Sequence, residues 1–393
     1  MVEWKKLGEI GSYFGGLTGK TKEDFVVGNG KFITYMNVFT NPSLDPSVVG
    51  VVKINEGEKQ NKVQKGDVLF TGSSETPEET GMSCVVTDEL EGDFYMNSFC
   101  FGLHLFSPEQ YNLHYLKHLL RSESVRKSIS KTASGVTRFN ISKARFSNIK
   151  IPIPSLSEQN RIVGILDTFT ASIDNLKEQI AQRRKQYEYY RDELLDLEGK
   201  EGVEMKTLGE IGEFIRGNGI QKSDFIEEGF GCIHYGQIHA RYGFSATETI
   251  SKIDESLYKR CKKARKGDVV LATTSEDAEG VAKPFVWLGD EEVAVSGDAF
   301  IYHHNQNGKF MGYQFLTHKF MHFKVKYATG AKVVRISGDN MAKFEVALPS
   351  LSEQQRIVSI LDTFEGSIQN LEAQLEQRQK QYEFYRNILL SFE

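Results

Sequence analysis

Along two long stretches of this chain the apolar positions alternate in steps of four and three. One stripe runs Ile162, Leu166, Phe169, Ile173, Leu176, Ile180, Arg183, Tyr187, Tyr190, Leu194 and Leu197. The other runs Ile357, Leu361, Phe364, Ile368, Leu371, Leu375, Arg378, Tyr382, Tyr385, Leu389 and Phe392. Such alternation is the seam of a coiled coil. Each stripe predicts a helix of about 40 residues, on the order of 60 Å long at 1.5 Å rise per residue. The only non-aromatic polar residue in each stripe is an arginine at the same rung, Arg183 and Arg378. It either fixes register or snorkels at the seam edge. Pro154 and Pro349 precede the helices. Ser157 or Ser352 is the expected N-cap, and Ser352 and Gln355 have capping-box spacing. A helix with one apolar stripe needs a partner. The expected partner is the other copy, antiparallel because a globular segment lies between them; a homodimeric coiled coil is the alternative.

Elsewhere the apolar runs are short. In the first half Val68-Leu69-Phe70, Cys84-Val85-Val86, Phe99 to Phe106 and Ile149 to Ile153 read as strands, and Pro108 to about Lys131 as helix. In the second half Val269-Val270-Leu271, Phe285-Val286-Trp287, Val293 to Val295, Ala299 to Tyr302 and Phe344 to Leu348 read as strands. Phe310 to about Lys324 reads as helix.

The two halves are copies. Ser155 to Glu198 and Ser350 to Glu393 are identical at 29 of 44 aligned positions, at an offset of 195. The repeat extends weakly backwards: Leu7 to Gly11 returns at Leu208 to Gly212, and Lys65-Gly66-Asp67-Val68 at Lys266-Gly267-Asp268-Val269. Long internal repeats dictate architecture before any other feature. The fold class is mixed α/β (α+β) with a pseudo-two-fold repeat. Residues 1–154 and 206–349 are variable globular domains, 155–198 and 350–393 are retained long helices, and 199–205 is the linker. A kept segment is framework; a drifted segment is where two different targets are read.

Composition narrows the function. The 393 residues are 39% hydrophobic and 26% charged, with 48 basic against 53 acidic residues, so the chain fills ordinary cores and is no uniformly basic coat. No run of about 18 apolar residues exists, so no membrane span is expected. MVEWKKLGEIG lacks the apolar core of a signal peptide, which points to a cytoplasmic protein. The scattered Cys84, Cys100, Cys232 and Cys261 read as free thiols.

Charge is nonetheless local. Lys117 to Lys150 holds nine Lys/Arg and one acid, Lys309 to Lys343 seven and one, and Lys259 to Lys266 six basic residues in eight. Equivalent basic stretches in both halves fit two phosphate-tracking surfaces; a solvated helix face is the alternative. Catalysis has no foothold. No GxxxxGK[ST] loop occurs, Asn41-Pro42-Ser43-Leu44 is not an amino-methyltransferase motif, and no spacing singles out a Ser/His/Asp triad. His114/His118 and His318/His322 have i, i+4 spacing but lack an obvious third ligand, so helix surface is expected and no metal.

These features together resemble the specificity (S) subunit of type I restriction–modification enzymes. The resemblance rests on Pro-Ser-Leu-Ser-Glu-Gln followed by Arg-Ile-Val-x-Ile-Leu-Asp at 154–167 and 349–362. It also rests on Ala133-Ser134-Gly135, Ala328-Thr329-Gly330 and the doubled Lys-Gly-Asp-Val turns. Ser155 and Ser350 depart from the second Pro frequent in that family. The resemblance implies a non-catalytic subunit with two target recognition domains. Each would read half of a split, asymmetric double-stranded DNA site, with the antiparallel helix pair as ruler. It implies two methylation subunits carrying S-adenosylmethionine and two restriction subunits using ATP and Mg, with no cofactor in this chain. The DNA contacts expected are Thr18, Lys20, Lys22, Ser73, Ser74, Gly135, Thr137 and Arg138 in the first domain. In the second they are Asn218, Gln221, Lys222, Thr274, Ser275, Lys332 and Arg335. The expected seam is Leu166, Phe169, Ile173, Leu176 and Ile180 against Leu361, Phe364, Ile368, Leu371 and Leu375. A coiled-coil scaffold with two protein-binding heads is the rival reading; it predicts no salt-dependent DNA affinity.

Overall fold

The computed structural model describes residues 2–330 and 333–392. It resolves into two compact units, Met1–Lys177 with Ala373–Glu393, and Glu178–Glu372. Two long helices, α1 (Leu156–Leu195) and α2 (Leu351–Leu389), carry the retained segments. They start two residues earlier than Ser157 and Ser352 would allow as caps. The capping hydroxyls belong to Ser155 and Ser350, which accept from the backbone N–H of Glu158 and Glu353 at 3.4 Å. An acid three residues after the cap also complements the helix dipole.

The first unit is built on two four-stranded sheets. One runs Gly11–Gly15, Cys100–Leu105, Val68–Thr71, Ser83–Val85, all antiparallel. The other runs Gly50–Val52, Gly30–Ile33, Phe94–Met96, Lys62–Val63, with the central pair parallel. Val68, Leu69 and Phe70 are buried on both faces, which explains the unbroken apolar run. Phe146, wholly buried, presents its ring edge to Phe70 and Phe101 at 5.0 and 5.3 Å between centroids. Glu3–Lys6 pairs with Lys150–Ile153 and leads the chain into α1.

The second unit repeats the plan with drift. Its sheets run Gly212–Arg216, Ala299–His304, Val269–Ala272, Lys283–Trp287, Ser245–Ala246, and Ser251–Ile253, Phe230–Ile233, Val293–Val295, Lys263–Ala264. The Lys-Gly-Asp-Val turns recur for a physical reason. Buried Asp67 and Asp268 accept the N–H of Gln64 and Arg265 (2.8 and 2.7 Å) and lie 2.6 Å from His104 and His303.

Each expected domain helix is instead two. Leu113–Leu119 and Glu123–Ser130 replace 108–131; Gly308–Gln314 and His318–Tyr327 replace 310–324. In the second unit the Thr317 side chain accepts from the Phe320 N–H and starts a new helix.

Within each unit the two long helices pack antiparallel. In the first, Ile162 and Leu166 share a core with Leu389 and Phe392, while Phe169 stacks on Tyr385 at 5.2 Å. In the second, Arg184 meets Glu372, Tyr187 meets Glu365, and Tyr190 stacks on Phe364 at 5.5 Å. Numbers fall along one helix as they rise along the other. The partner is thus within the chain. Leu166, Ile173, Leu176, Ile180 and Leu361 are buried; Phe169, Phe364, Ile368, Leu371 and Leu375 are half-buried. Arg183 and Arg378 lie over the rings of Phe364 and Phe169, at 6.0 and 5.7 Å, which suits a guanidinium at a seam edge.

Burial also sets a pH dependence. His304 is buried, its Nδ1 accepting the Gln306 N–H, and burial pulls its pKa down from 6.5 to about 4. The unfolded chain takes up this proton near pH 6.5 and the native state does not. The stabilisation is therefore complete above pH 6.5 and lost as pH falls toward 4. A shift of that size costs on the order of 3 kcal/mol. Urea melts of wild type and His304→Gln at pH 7 and 4.5 should show the acid loss shrinking in the variant; equal losses would refute the assignment.

Candidate nucleic-acid interface

The retained sequence motif has a mechanical role. Gln159 and Gln354, both buried, donate to the carbonyls of Pro154 and Pro349 at 2.9 Å. Their Oε1 atoms accept the backbone N–H of Asn112 and Asn307 at 2.8 and 3.0 Å. The same glutamine thus ties the entry of each long helix to a helix of its own domain. About two turns on, Asp167 accepts from Lys117 (2.9 Å) and His118 Nε2 (2.7 Å), and Asp362 from Lys309 (2.8 Å) and Tyr313 (2.7 Å).

His118 is not helix surface. It is 1% exposed, with Asp167 on one nitrogen and the Tyr382 hydroxyl 2.9 Å from the other. Burial lowers its pKa against the opposing hydrogen bond of Asp167, which favours the neutral ring. Nε2 then donates and Nδ1 accepts from Tyr382. Among the described residues no group of three His, Cys, Asp or Glu is placed to hold a metal ion.

The basic stretches are partly structural as well. Arg121 donates to the carbonyls of Ser83, Val38, Phe39 and Asn41, and Arg126 to those of Gly81, Glu78 and Thr80. Burial brings both guanidinium pKa values down to about 10. Lys324 is buried on the carbonyls of Glu279 and Val281, and burial lowers it to about 8. With Lys117 and Lys309 held by aspartates, these five cations shape loops and anchor helices rather than face a phosphate. Lys131, Arg138, Lys143, Arg145 and Lys150 remain exposed, as do Lys326, Arg335 and Lys343.

Four expected contacts of the first domain meet at one place. Ser73–Ser74 pairs with Phe139–Ile141, which pairs with Ala133–Ser134. Ser73, Ser74, Thr137 and Arg138 line an open cleft of about 470 Å³ with Tyr35, Met36, Phe39, Phe99, Glu75 and Glu79. Phe99 lies outside the strand that the sequence predicts for it. It precedes the strand and is 55% exposed, and the Arg138 guanidinium lies 5.0 Å from its ring centre. An aromatic in a loop carried no sequence signal. Gly135 shapes the rim: its φ is +157°, and a Cβ there would lie 1.9 Å from the Arg138 carbonyl oxygen.

Thr18, Lys20 and Lys22 lie in another neighbourhood. Thr18 exchanges hydrogen bonds with the Gln60 amide, and Lys22 is exposed. Lys20 is engaged within the unit. Its ammonium is buried against the Lys53 carbonyl and the Glu58 carboxylate, both 2.6 Å away, and holds Glu58 down to about 2.

In the second domain the strand pair Thr274–Ser275 and Val334–Arg335 puts Thr274 opposite Arg335. Gln221 and Lys222 line a separate cleft of about 410 Å³ with His234, Tyr235 and Asp298. Asn218 is engaged internally, its Oδ1 accepting the Lys262 N–H at 2.5 Å. Lys332 lies outside the described residues. Gly330 repeats the Gly135 turn with φ +117° and a Cβ position 2.0 Å from the Val333 carbonyl oxygen.

The family model for the type I restriction modification DNA specificity domain matches residues 1–183 and again 200–378. The EcoR124I/EcoR124II specificity subunit of Escherichia coli is 33% identical over 263 residues, 63% of this chain and 65% of that one. S.HindORF215P of Haemophilus influenzae, named for the same subunit class, is 30% identical over 328 residues, 77% of each chain. Among solved structures, the S subunit of a type I system from M. genitalium superposes with TM-score 0.53 at 15% identity, over 100% of this chain and 97% of that one. A chain from a study of assembly and conformational transition of the type I system superposes with TM-score 0.62 at 18% identity, over 99% and 96%.

Proposed function

Because this chain belongs to the type I restriction–modification specificity subunits, a non-catalytic class, we propose that it reads a split DNA site, one half with each unit. The observation that carries this is the contrast within the chain. The two long helices keep 29 of 44 positions, while the loops and strands that line the clefts differ between the units. Two different reading surfaces on one retained frame call for an asymmetric, two-part site. Residues 1–154 and 206–349 are the recognition domains on this reading, 155–198 and 350–393 the framework, and 199–205 the linker.

Base contacts come from Ser73, Ser74, Thr137 and Arg138 in one unit and from Gln221, Lys222, Thr274, Ser275 and Arg335 in the other. The exposed cations position the phosphates. The helix pair sets the gap between half-sites. Tyr189 and Phe384, at equivalent positions and 64% and 60% exposed, mark one docking face per unit. Two copies of one partner suit them: the methylation subunits, which bring S-adenosylmethionine. Restriction subunits using ATP and Mg complete a cytoplasmic assembly.

Co-expression with the cognate methylation subunit, followed by genome-wide mapping of adenine methylation, tests the reading. A gapped two-part motif is expected, and replacing residues 1–150 should change one half only. Two soluble, associated proteins that leave no motif would overturn it in favour of the scaffold.

A further inference from the structure

Resting on that DNA-reading role, we propose that Arg138 reads a guanine through its major-groove edge, in the half-site of the first unit. The Arg138 side chain is held at two points. Its Nε donates to Ser73 Oγ at 3.0 Å. Ser73 is buried, and its carbonyl accepts the Tyr35 hydroxyl at 2.8 Å, so the acceptor is itself fixed. The guanidinium plane sits by the Phe99 ring. Behind it, the Gly135 turn closes on the Arg138 carbonyl with no room for a Cβ.

Nε is thus occupied, while Nη1 and Nη2 make no hydrogen bond among the described residues. They remain as a forked pair of donors at the mouth of the cleft. A forked donor pair needs two acceptors side by side. Guanine supplies them as O6 and N7 on its major-groove edge; adenine puts a donor beside N7, and cytosine and thymine have a single site each. A phosphate also offers paired acceptors. The anchoring favours the base, because a fork fixed at Nε and against a ring loses little freedom on meeting one fixed edge.

The other unit gives an internal contrast. Strand register pairs Ser74 with Phe139 and Ser275 with Val334, which places Val333 where Arg138 stands. Val333 is exposed and apolar. It has no donors for guanine, so this position reads guanine in the first unit's half-site alone.

The test uses the assembled complex with its methylation subunit, compared as wild type, Arg138→Ala and Arg138→Lys, with methylated motifs mapped in each. Wild type should show a gapped motif with an obligate guanine in one half. In both variants preference for that guanine should fall about 10- to 100-fold, while the other half stays fully specified. The intact second half reports that the complex is assembled, and lysine keeps the charge while removing the fork. An unchanged motif overturns the proposal. So does a uniform loss of methylation at all sites with the guanine retained, the signature of a phosphate contact. A wild-type complex with no gapped motif fails earlier, at the DNA-reading role itself.

Discussion

Lengthening both long helices by four residues, after Glu178 and after Ala373, should shift methylation to a site with a wider gap. The two insertion points are equivalent by the repeat offset of 195, so each helix gains the same length. Four residues add about 6 Å of rise, one full turn plus about 40° of phase. B-DNA rises roughly 34 Å per turn of about 10 base pairs, so the expected widening is one or two base pairs. Both half-site sequences should stay as they were, because no reading residue moves within its own unit. Methylation of the original motif should fall by about 100-fold or more, since one half-site would lose its contacts, each worth about 1–3 kcal/mol per base pair. Motif mapping on the same genome reads both effects. An unchanged gap in a complex that still methylates would remove the ruler role while leaving the DNA-reading role standing.

Phe146→Ala should destabilise the first unit by about 4 kcal/mol. The ring is wholly buried between Phe70 and Phe101 and also meets Tyr13 edge-on at 6.2 Å. Truncating such a ring loses its burial and leaves a cavity that rigid neighbours fill poorly. The two tryptophans make this measurable, since Trp4 lies in the first unit and Trp287 in the second. In a Trp287→Phe background, urea unfolding followed by Trp4 fluorescence should shift its midpoint down by about 2 M, at a slope of about 2 kcal/mol per M. A shift below about 0.5 M would mean that the site relaxes without a cavity. The consequence reaches the cleft. Phe146 ends the short helix Lys143–Phe146 that follows the strand Phe139–Ile141, so a loosened anchor also loosens the strand entered from Arg138.

Much of this was legible in the sequence because it is set by local period. Steps of four and three need a helix to bring Ile162, Leu166 and Phe169 to one side, and the self-comparison needs no structure at all. Strands such as Val68-Leu69-Phe70 and Val293 to Val295 were legible because they are short, fully apolar runs. What only the tertiary structure decided is which polar groups face inward. Arg121, Arg126 and Lys324 read as surface charge, but loop carbonyls from distant segments fold onto them. His118 read as an exposed histidine until Asp167 and Tyr382 closed over it. Phe99 and Arg138, 39 residues apart, meet only because strand pairing returns the chain to Ser73. Periodicity records where a side chain points on its own element. It does not record what another element, brought in by the fold, will place opposite it.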